Sequence, residues 1–510
     1  PKLLSQNKIF HGKSFNIFSI DQWIFERDVD RGFLGESLAE KIIFPYIPLN
    51  GKKYLDHQEI ILKKRLILEL LENLILNFPE LSYNLHIKPE YFLYETMMIR
   101  ARLFPPMIQS VLRFMHKEMK QKNTQLALRG YLEALKILEK KGTIKLTEEY
   151  TQISKEFLEK IKSKRIRFIN LFKTARRTLF TSMLGTYSKS LEFISQTNKG
   201  FPHLQKNDEG NSRVLHELID PMEYLFIPTA DGLVSLSGRM DIKAFVKKFF
   251  SKEKAEIKIK KIGGVLNDVY LIEALVNHEE ERIIVKSFRD LSSLKWFPIN
   301  LWTFGTRSFA VLGRSRLEKE CAINQLLRSN GFNVPRILYV NHHERLIFME
   351  YLEGERINEI IKEIADTSEH KNEQQVERNL DVIRKIGQQL ARIHSLDISL
   401  GDAKPENIIK KEEDKIFLLD LEQASRKGDK AWDIAEFLYY TGHYIQPFVG
   451  TKPMELITRS FIEGYIKAGG KAKFVKRAAN PKYTKVFSIF TFPHQILTIS
   501  KICKEASEKN

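Results

Sequence analysis

Residues 57–76, HQEIILKKRLILELLENLIL, alternate apolar pairs with charged pairs at helical spacing, and residues 125–140, QLALRGYLEALKILEK, do the same. A Lys140-Lys141-Gly142 stop follows, and TIKLTEEYTQIS then alternates at every second position, as a strand does. The first ~200 residues therefore predict a mostly helical region with one short ribbon. Residues 197–213, TNKGFPHLQKNDEGNSR, are polar, contain Gly and Pro, and predict a linker or exposed loop. From about Lys254 the pattern changes. KIKKIGGVLNDVYLIEALV (258–276) reads as strand, glycine turn, strand; ERIIVKSF (281–288) alternates as a further strand. RLEKECAINQLLRSNGFNVPRIL (316–338) reads as a helix ended by Gly331 and followed by Pro335.

At 510 residues the chain exceeds one ordinary core, and two or three domains are expected. Lys plus Arg number 82 against 64 acidic residues, a formal charge of +18, which favours anionic partners or a well-solvated basic surface. Positive charge concentrates between Lys155 and Arg177 with Phe168 and Phe172 interleaved. That pattern suits RNA, an acidic protein or an anionic membrane face, and it also suits a solvated helix whose apolar residues pack inward. The helix and ribbon at 125–153 resemble a winged-helix element; an ordinary helical domain with one hairpin is the alternative. Two cysteines, Cys321 and Cys503, exclude a disulfide framework or a Cys-rich zinc site and point to a reducing interior. No apolar run reaches the ~18 residues of a membrane span. The start, PKLLSQNKIFHGKSF, has no signal-peptide apolar region and no initial Met, which reads as a processed or truncated end of a cytoplasmic protein.

The clearest chemistry lies in LGDAKPENIIKKEEDKIFLLDLEQA, from Leu400 to Ala424. A polar loop carries Asp402, Lys404 and Asn407, and two short apolar strands follow, the second ending in Asp420. Phosphoryl transfer from ATP needs an aligned acceptor oxygen, neutralised phosphate charge and a held divalent metal, with little covalent help from the protein. Asp402 would orient an acceptor hydroxyl and take its proton. Asn407 and Asp420 supply hard oxygens for Mg²⁺ or Mn²⁺, and Lys404 places positive charge near the transferring phosphate.

This block resembles the protein-kinase catalytic loop: Asp402 and Asn407 keep the D-x-x-x-x-N spacing, and Lys404 to Asn407 read K-P-E-N. Leu400 stands where the histidine would be, and Asp420-Leu421-Glu422 replaces D-F-G. With GDKAWDIAEFLYY added, the stretch is similar to aminoglycoside and choline phosphotransferases and to atypical kinases of the RIO and KEOPS kinds. The resemblance implies that Asp433 braces the catalytic loop from a buried position. It also implies an upstream nucleotide-binding lobe. There Gly263 and Gly264 would let backbone amides approach a phosphate, and Lys286 would contact the α and β phosphates. Glu320 is the expected partner of Lys286, with Glu318 the competitor on another helix face. Backbone groups from Glu350 to Leu352, in LIFMEYLEGERI, would bind the adenine edge. His394 reads as a packing and hydrogen-bonding residue. Trp296, Phe297, Trp302, Phe304 and Phe309 form an aromatic insertion, read as an interdomain contact surface, with a substrate flap or membrane-touching segment as alternatives.

Thirteen positions separate Asp420 from Asp433, with SRKGDKA and no A-P-E between them. Regulated protein kinases place a long activation segment there, so a small-molecule phosphotransferase or an atypical kinase or ATPase is favoured. The expected fold is α+β: residues 1–245 a mostly helical basic domain, 246–349 an antiparallel β small lobe, and 350–510 a helical large lobe of a bilobal protein-kinase-like domain. The expected activity is ATP-dependent phosphate transfer to a hydroxyl of a protein or small molecule. The alternative is a nucleotide-binding scaffold or ATPase switch whose basic N-terminal half binds RNA or a partner protein.

Overall fold

The computed structural model describes residues 4–11, 13–34, 36, 38–103, 107–163, 219–250, 256–263, 267–276, 279–290, 310, 312–370, 373–446, 450–489 and 491–506. Helices and antiparallel sheets make an α+β architecture. The chain divides into two compact units, Pro1–Ile227 with Ser235–Ser237, and Pro228–Val234 with Gly238–Asn510. Among the described residues no helix is long and apolar enough to cross a membrane.

The first unit opens with a hairpin, β1 (Leu4–Phe10) and β2 (Lys13–Ser19), followed by α1 (Gln22–Arg31). Asp21 caps α1 by accepting from the Trp23 amide at 2.9 Å. Asp28, buried on α1, accepts from the amides of Leu34, Glu36, Leu38 and Ala39 and so shapes the following loop. The amphipathic stretch near 57–76 lies in α2 (Lys52–Asn77), which buries Leu62, Leu66, Leu70 and Leu74 on one stripe. After β3 (His86–Ile87) come α3 (Pro89–Leu103), α4 (Met107–Phe114) and α5 (Lys120–Lys140). The ribbon after α5 is β4 (Ile144–Leu146) and β5 (Thr151–Ile153), and α6 (Lys155–Ser163) follows it. β5 pairs with β3, which also pairs with β6 (Leu225–Thr229) through Leu225 and Phe226. β7 (Gly232–Ser235) completes the hairpin in which the division between units falls.

The second unit begins with α7 (Ile242–Phe249), capped by Asp241 through the Ala244 amide at 2.7 Å. Its sheet runs β11-β12-β10-β9-β8, with β8 (Glu256–Gly263), β9 (Asp268–Val276), β10 (Glu279–Ser287), β11 (Ile337–Asn341) and β12 (Leu346–Glu350) all antiparallel to their neighbours. Phe245, Val246 and Phe250 pack on Ile272, Val285 and Phe348 of this sheet, with the Phe245 and Phe348 rings stacked at 4.1 Å. α8 (Gly313–Ser329) ends where Gly331 turns left-handed at φ 77°, which a side chain resists.

The remainder is mostly helical: β13 (Glu355–Arg356), α9 (Ile357–His370), α10 (Glu373–Ser395), β14 (Ile398–Ser399), β15 (Ile408–Lys410), β16 (Ile416–Leu418), β17 (Ser425–Arg426) and α11 (Lys430–Thr441). α12 (Lys452–Lys467), α13 (Ala472–Ala478), α14 (Pro481–Phe487) and α15 (Pro493–Glu505) close the chain. α10 and α12 approach so closely that a Cβ on Gly464 would lie 2.0 Å from Arg384 O, and one on Gly387 2.2 Å from Phe461 O. Only glycine permits that backbone contact. One continuous core joins α8, α9, α10, α11 and α12 beneath the loop that carries Asp402.

Candidate functional site

Three backbone devices set the loop between β14 and β15. Gly401 adopts φ 74°, a left-handed turn that brings the chain round to Asp402. Asp433, fully buried on α11, accepts from the Leu400 amide at 2.7 Å, the Gly401 amide at 2.8 Å and the Ser399 hydroxyl at 3.1 Å. Glu436, one turn along, accepts from the Ala403 amide at 2.8 Å and from Trp432 Nε1 at 3.0 Å. His394 Nε2 donates to Asp433 at 3.1 Å, and its Nδ1 lies 2.7 Å from the Tyr465 hydroxyl. His394 is thus engaged inside the core rather than beside Asp402.

Both carboxylate oxygens of Asp402 take a donor: Lys404 Nζ at 2.8 Å on Oδ1 and Asn407 Nδ2 at 3.1 Å on Oδ2. Asn407 Nδ2 also donates to Asp402 O at 3.0 Å, so its amide oxygen is the atom turned to other partners. Burial works against the charge on Lys404, but Asp402 and Glu436 outweigh it and hold the ammonium's pKa above its ordinary value. The β15–β16 register, Ile408 opposite Leu418, and the Leu419 amide on Asn407 O at 2.8 Å bring Asn407 and Asp420 to the same end of that hairpin.

Lys286 sits on β10 between Val269 of β9 and Ile347 of β12. Its Nζ lies 3.4 Å from Glu320 Oε1 and 3.3 Å from Asp420 Oδ1. Burial opposes its charge, yet Asp420, Glu320 and Glu422 together raise its pKa. Burial pushes Glu320 up to about 7 against the lowering effect of Lys286, with Asp420 and Glu422 adding to the rise. Glu318 turns elsewhere, to Arg314 at 3.3 Å and His342 at 3.7 Å.

The remaining expected residues are less gathered. Gly263 ends β8 at a register shift, with open space where a side chain would project; Gly264 lies outside the described residues. Glu350 ends β12, its amide donating to Arg336 O at 3.0 Å and its carboxylate accepting from the Arg336 amide at 2.8 Å. Leu352 follows, half-buried. The aromatic positions Trp296, Phe297, Trp302, Phe304 and Phe309, the residues 164–177 of the basic stretch and the 197–213 segment also lie outside the described residues. Within the described part of that stretch, Lys162 lies 3.9 Å from Glu80 and 4.3 Å from the Tyr83 ring centre.

Sequence reasoning missed a buried group beside Asp420. Arg316, fully buried and one turn before Glu320 on α8, donates from Nη1 to Glu422 at 3.1 Å and to Asn267 Oδ1 at 2.8 Å, and from Nη2 to Arg289 O. Asn267 Nδ2 donates in turn to Glu422. The one available signal was Glu422 standing where D-F-G has glycine.

Among the described residues no group of three or more His, Cys, Asp or Glu side chains is arranged to hold a metal. A magnesium ion held largely by nucleotide phosphates needs only one or two hard protein oxygens. The Asn407 amide oxygen and the Asp420 carboxylate, 29% exposed, fit that demand.

The lipopolysaccharide kinase (Kdo/WaaP) family model matches residues 281–438. The chain is 30% identical to the KEOPS complex subunit Bud32 of Pyrococcus abyssi over 109 residues, 21% of this chain and 44% of that protein. It is 22% identical to the EKC/KEOPS complex subunit bud32 of Dictyostelium discoideum over 171 residues, 33% of this chain and 64% of that one. The chain therefore spans less than two thirds of the length of either relative. The matched segment contains Lys286, Glu320, Asp402, Asn407, Asp420 and Asp433, and these likenesses support placing that segment in the protein-kinase-like superfamily, among its atypical kinases.

Proposed function

We propose that this chain is an ATP-dependent phosphotransferase that moves the γ-phosphate of ATP to a hydroxyl of a protein or small molecule. In this reading residues 246–349 and 350–510 are the small and large lobes of a bilobal catalytic domain, and residues 1–245 are a separate domain. The observation that carries it is the convergence on Asp420: Lys286 Nζ at 3.3 Å on one side, and Asn407 brought to the same hairpin end by the β15–β16 register on the other.

Lys286, held by Glu320, supplies a buried cation for the α and β phosphates. Gly263 and Gly264 allow backbone amides to approach them, and backbone groups between Glu350 and Leu352 meet the adenine edge. Asn407 and Asp420 would hold a Mg²⁺ or Mn²⁺, which would supply neutralisation of the phosphate charge. Asp402 accepts the proton of the attacking hydroxyl. Its two donors, Lys404 and Asn407, orient the carboxylate, and each oxygen retains a lone pair for the acceptor. Lys404 adds positive charge next to the transferring group. The name of the matching family suggests a sugar hydroxyl among the acceptors, and the names of the relatives suggest work within a protein complex. A test is turnover of ATP with Mg²⁺ across a panel of sugars, amino alcohols, RNA and generic proteins. The expected result is stimulation by one class and loss in Asp402→Ala.

A scaffold or ATPase switch is the second reading, favoured by the first unit. There the β4–β5 ribbon following α5 is joined edgewise to β3, the strand order of a winged helix. Salt-dependent RNA binding by the chain, together with ATP hydrolysis unaffected by any acceptor, would select it.

A further inference from the structure

Two contacts one helical turn apart clip the Asp420 segment to α8. Glu320 Oε2 accepts from the Leu421 amide at 2.8 Å, and Arg316 Nη1 donates to Glu422 at 3.1 Å. Positions 316 and 320 share a face of the helix, so both clips act from one rigid surface. The Arg316–Glu422 pair is inside the protein, with side chains 0% and 1% exposed. Asn267 closes the group: its amide nitrogen donates to Glu422 and its oxygen accepts from Arg316. It immediately precedes β9, on the side of that strand facing the glycine turn in sequence. Helix, metal-ligand segment and phosphate-loop strand thus meet at one buried side-chain cluster.

Desolvating two charges costs several kcal/mol per ion, and a buried pair is often replaceable by apolar residues without loss of stability. Stability alone is therefore a weak reason for the pair. Fixing geometry is a better one, because displacements near 1 Å at a reacting centre cost about 10²-fold in rate.

We propose that Arg316, Glu422 and Asn267 are positioning residues that lock Asp420 to α8 and to the start of β9, holding the site assembled without an activation segment. The proposal rests on the phosphotransferase reading for its effect on rate, whereas the lock itself is independent of that reading. Regulated kinases let the corresponding helix and the D-F-G segment move separately, and a phosphorylated activation loop sets their arrangement. Here thirteen positions lead from Asp420 to Asp433, too few for such a loop, and the buried pair takes over the task.

The test uses the full chain and the double variant Arg316→Met/Glu422→Leu, which removes both charges and keeps apolar bulk. Three quantities are read: thermal midpoint, steady-state ATP turnover with Mg²⁺, and hydrogen exchange of the peptide covering residues 417–425. The expected result is a midpoint at or above that of the wild type, kcat lower by about 10²-fold with KM for ATP little changed, and faster exchange at Leu421. A purely structural pair would leave kcat and exchange at wild-type values once the fold is retained, and that result overturns the proposal. If the wild-type protein turns over no ATP, the phosphotransferase reading fails, and exchange alone decides the lock: acceleration supports it, no change overturns it. Should the double variant not fold, Glu422→Gln serves, since it keeps the side-chain shape, removes the charge and sets an amide N–H against one of the two donors, Arg316 Nη1 or Asn267 Nδ2. About tenfold lower kcat and faster exchange at Leu421 are expected there, and wild-type values of both overturn the lock.

Discussion

Lys286 Nζ lies 3.4 Å from Glu320 Oε1 across 34 positions of chain, and the same nitrogen reaches Asp420 Oδ1 at 3.3 Å. Removing that cation leaves Glu320, Asp420 and Glu422 facing one another with little water. Lys286→Met is predicted to destabilise the second unit by about 3 kcal/mol and to abolish turnover. Lys286→Arg should not restore activity, because a planar fork does not fit the place of a compact ammonium. Urea denaturation and ATP turnover measure the two effects separately.

Glu320 supplies a pH dependence. Its carboxyl is raised by burial from the ordinary 4.5 to about 7. Between those values the native protein holds a proton that the unfolded chain has released. The associated stabilisation is therefore present at low pH and lost as pH rises through about 7. Activity should run the other way, because a protonated Glu320 no longer pairs with Lys286. We predict an acid limb in kcat/KM for ATP, falling below neutral pH, and a decrease in stability over the same window as pH rises. Glu320→Gln should flatten the stability profile; an unchanged slope contradicts the assignment.

Asp433 concentrates several backbone contacts of the Asp402 loop on one buried carboxylate. Asp433→Ala leaves the Leu400 and Gly401 amides and His394 without their acceptor and should cost about 3 kcal/mol or more, since hydrogen bonds to a charged group contribute about 1.5–3 kcal/mol each. Asp433→Asn should recover little, as its amide sets a donor against one of those N–H groups. Denaturation midpoints and turnover at low temperature would show whether fold and rate fall together.

Gly464 provides a control remote from the chemistry. A methyl group there would meet Arg384 O at 2.0 Å, a backbone atom that cannot step aside. Gly464→Ala is predicted to destabilise by about 1–3 kcal/mol through separation of α10 and α12. Turnover per folded molecule should stay near wild type below the melting range.

Much of the layout was legible because its signals are local. The alternation of ERIIVKSF predicts a strand bearing Lys286, the stripe of 316–338 predicts a helix ended by Gly331, and the structure has β10 and α8 there. The Asp402–Asn407 spacing and the following hairpin are likewise local, since short strands and their turn leave a mark within about twenty residues. Helical period separated Glu318 from Glu320 but could not choose between them; both are buried, and only the three-dimensional neighbours distinguish Lys286 from Arg314 and His342. Apart from Glu422 standing in place of the D-F-G glycine, the cluster of Arg316, Asn267 and Glu422 left no local signal, because its contacts span 49, 106 and 155 positions and carry no periodicity. The same holds in the first unit. The amphipathic faces of α2 and α5 were readable, while the pairing of β3 with β6 sets His86 opposite Phe226, far along the chain.

The most direct measurement is ATP turnover by the purified chain with Mg²⁺ and with chelator, beside Asp402→Ala and Asp420→Ala, each checked for an unchanged thermal midpoint. Metal-dependent turnover is expected in the wild type, none with chelator, and loss of at least about 10²-fold in both folded variants. Turnover that survives in folded Asp420→Ala would contradict the site assignment.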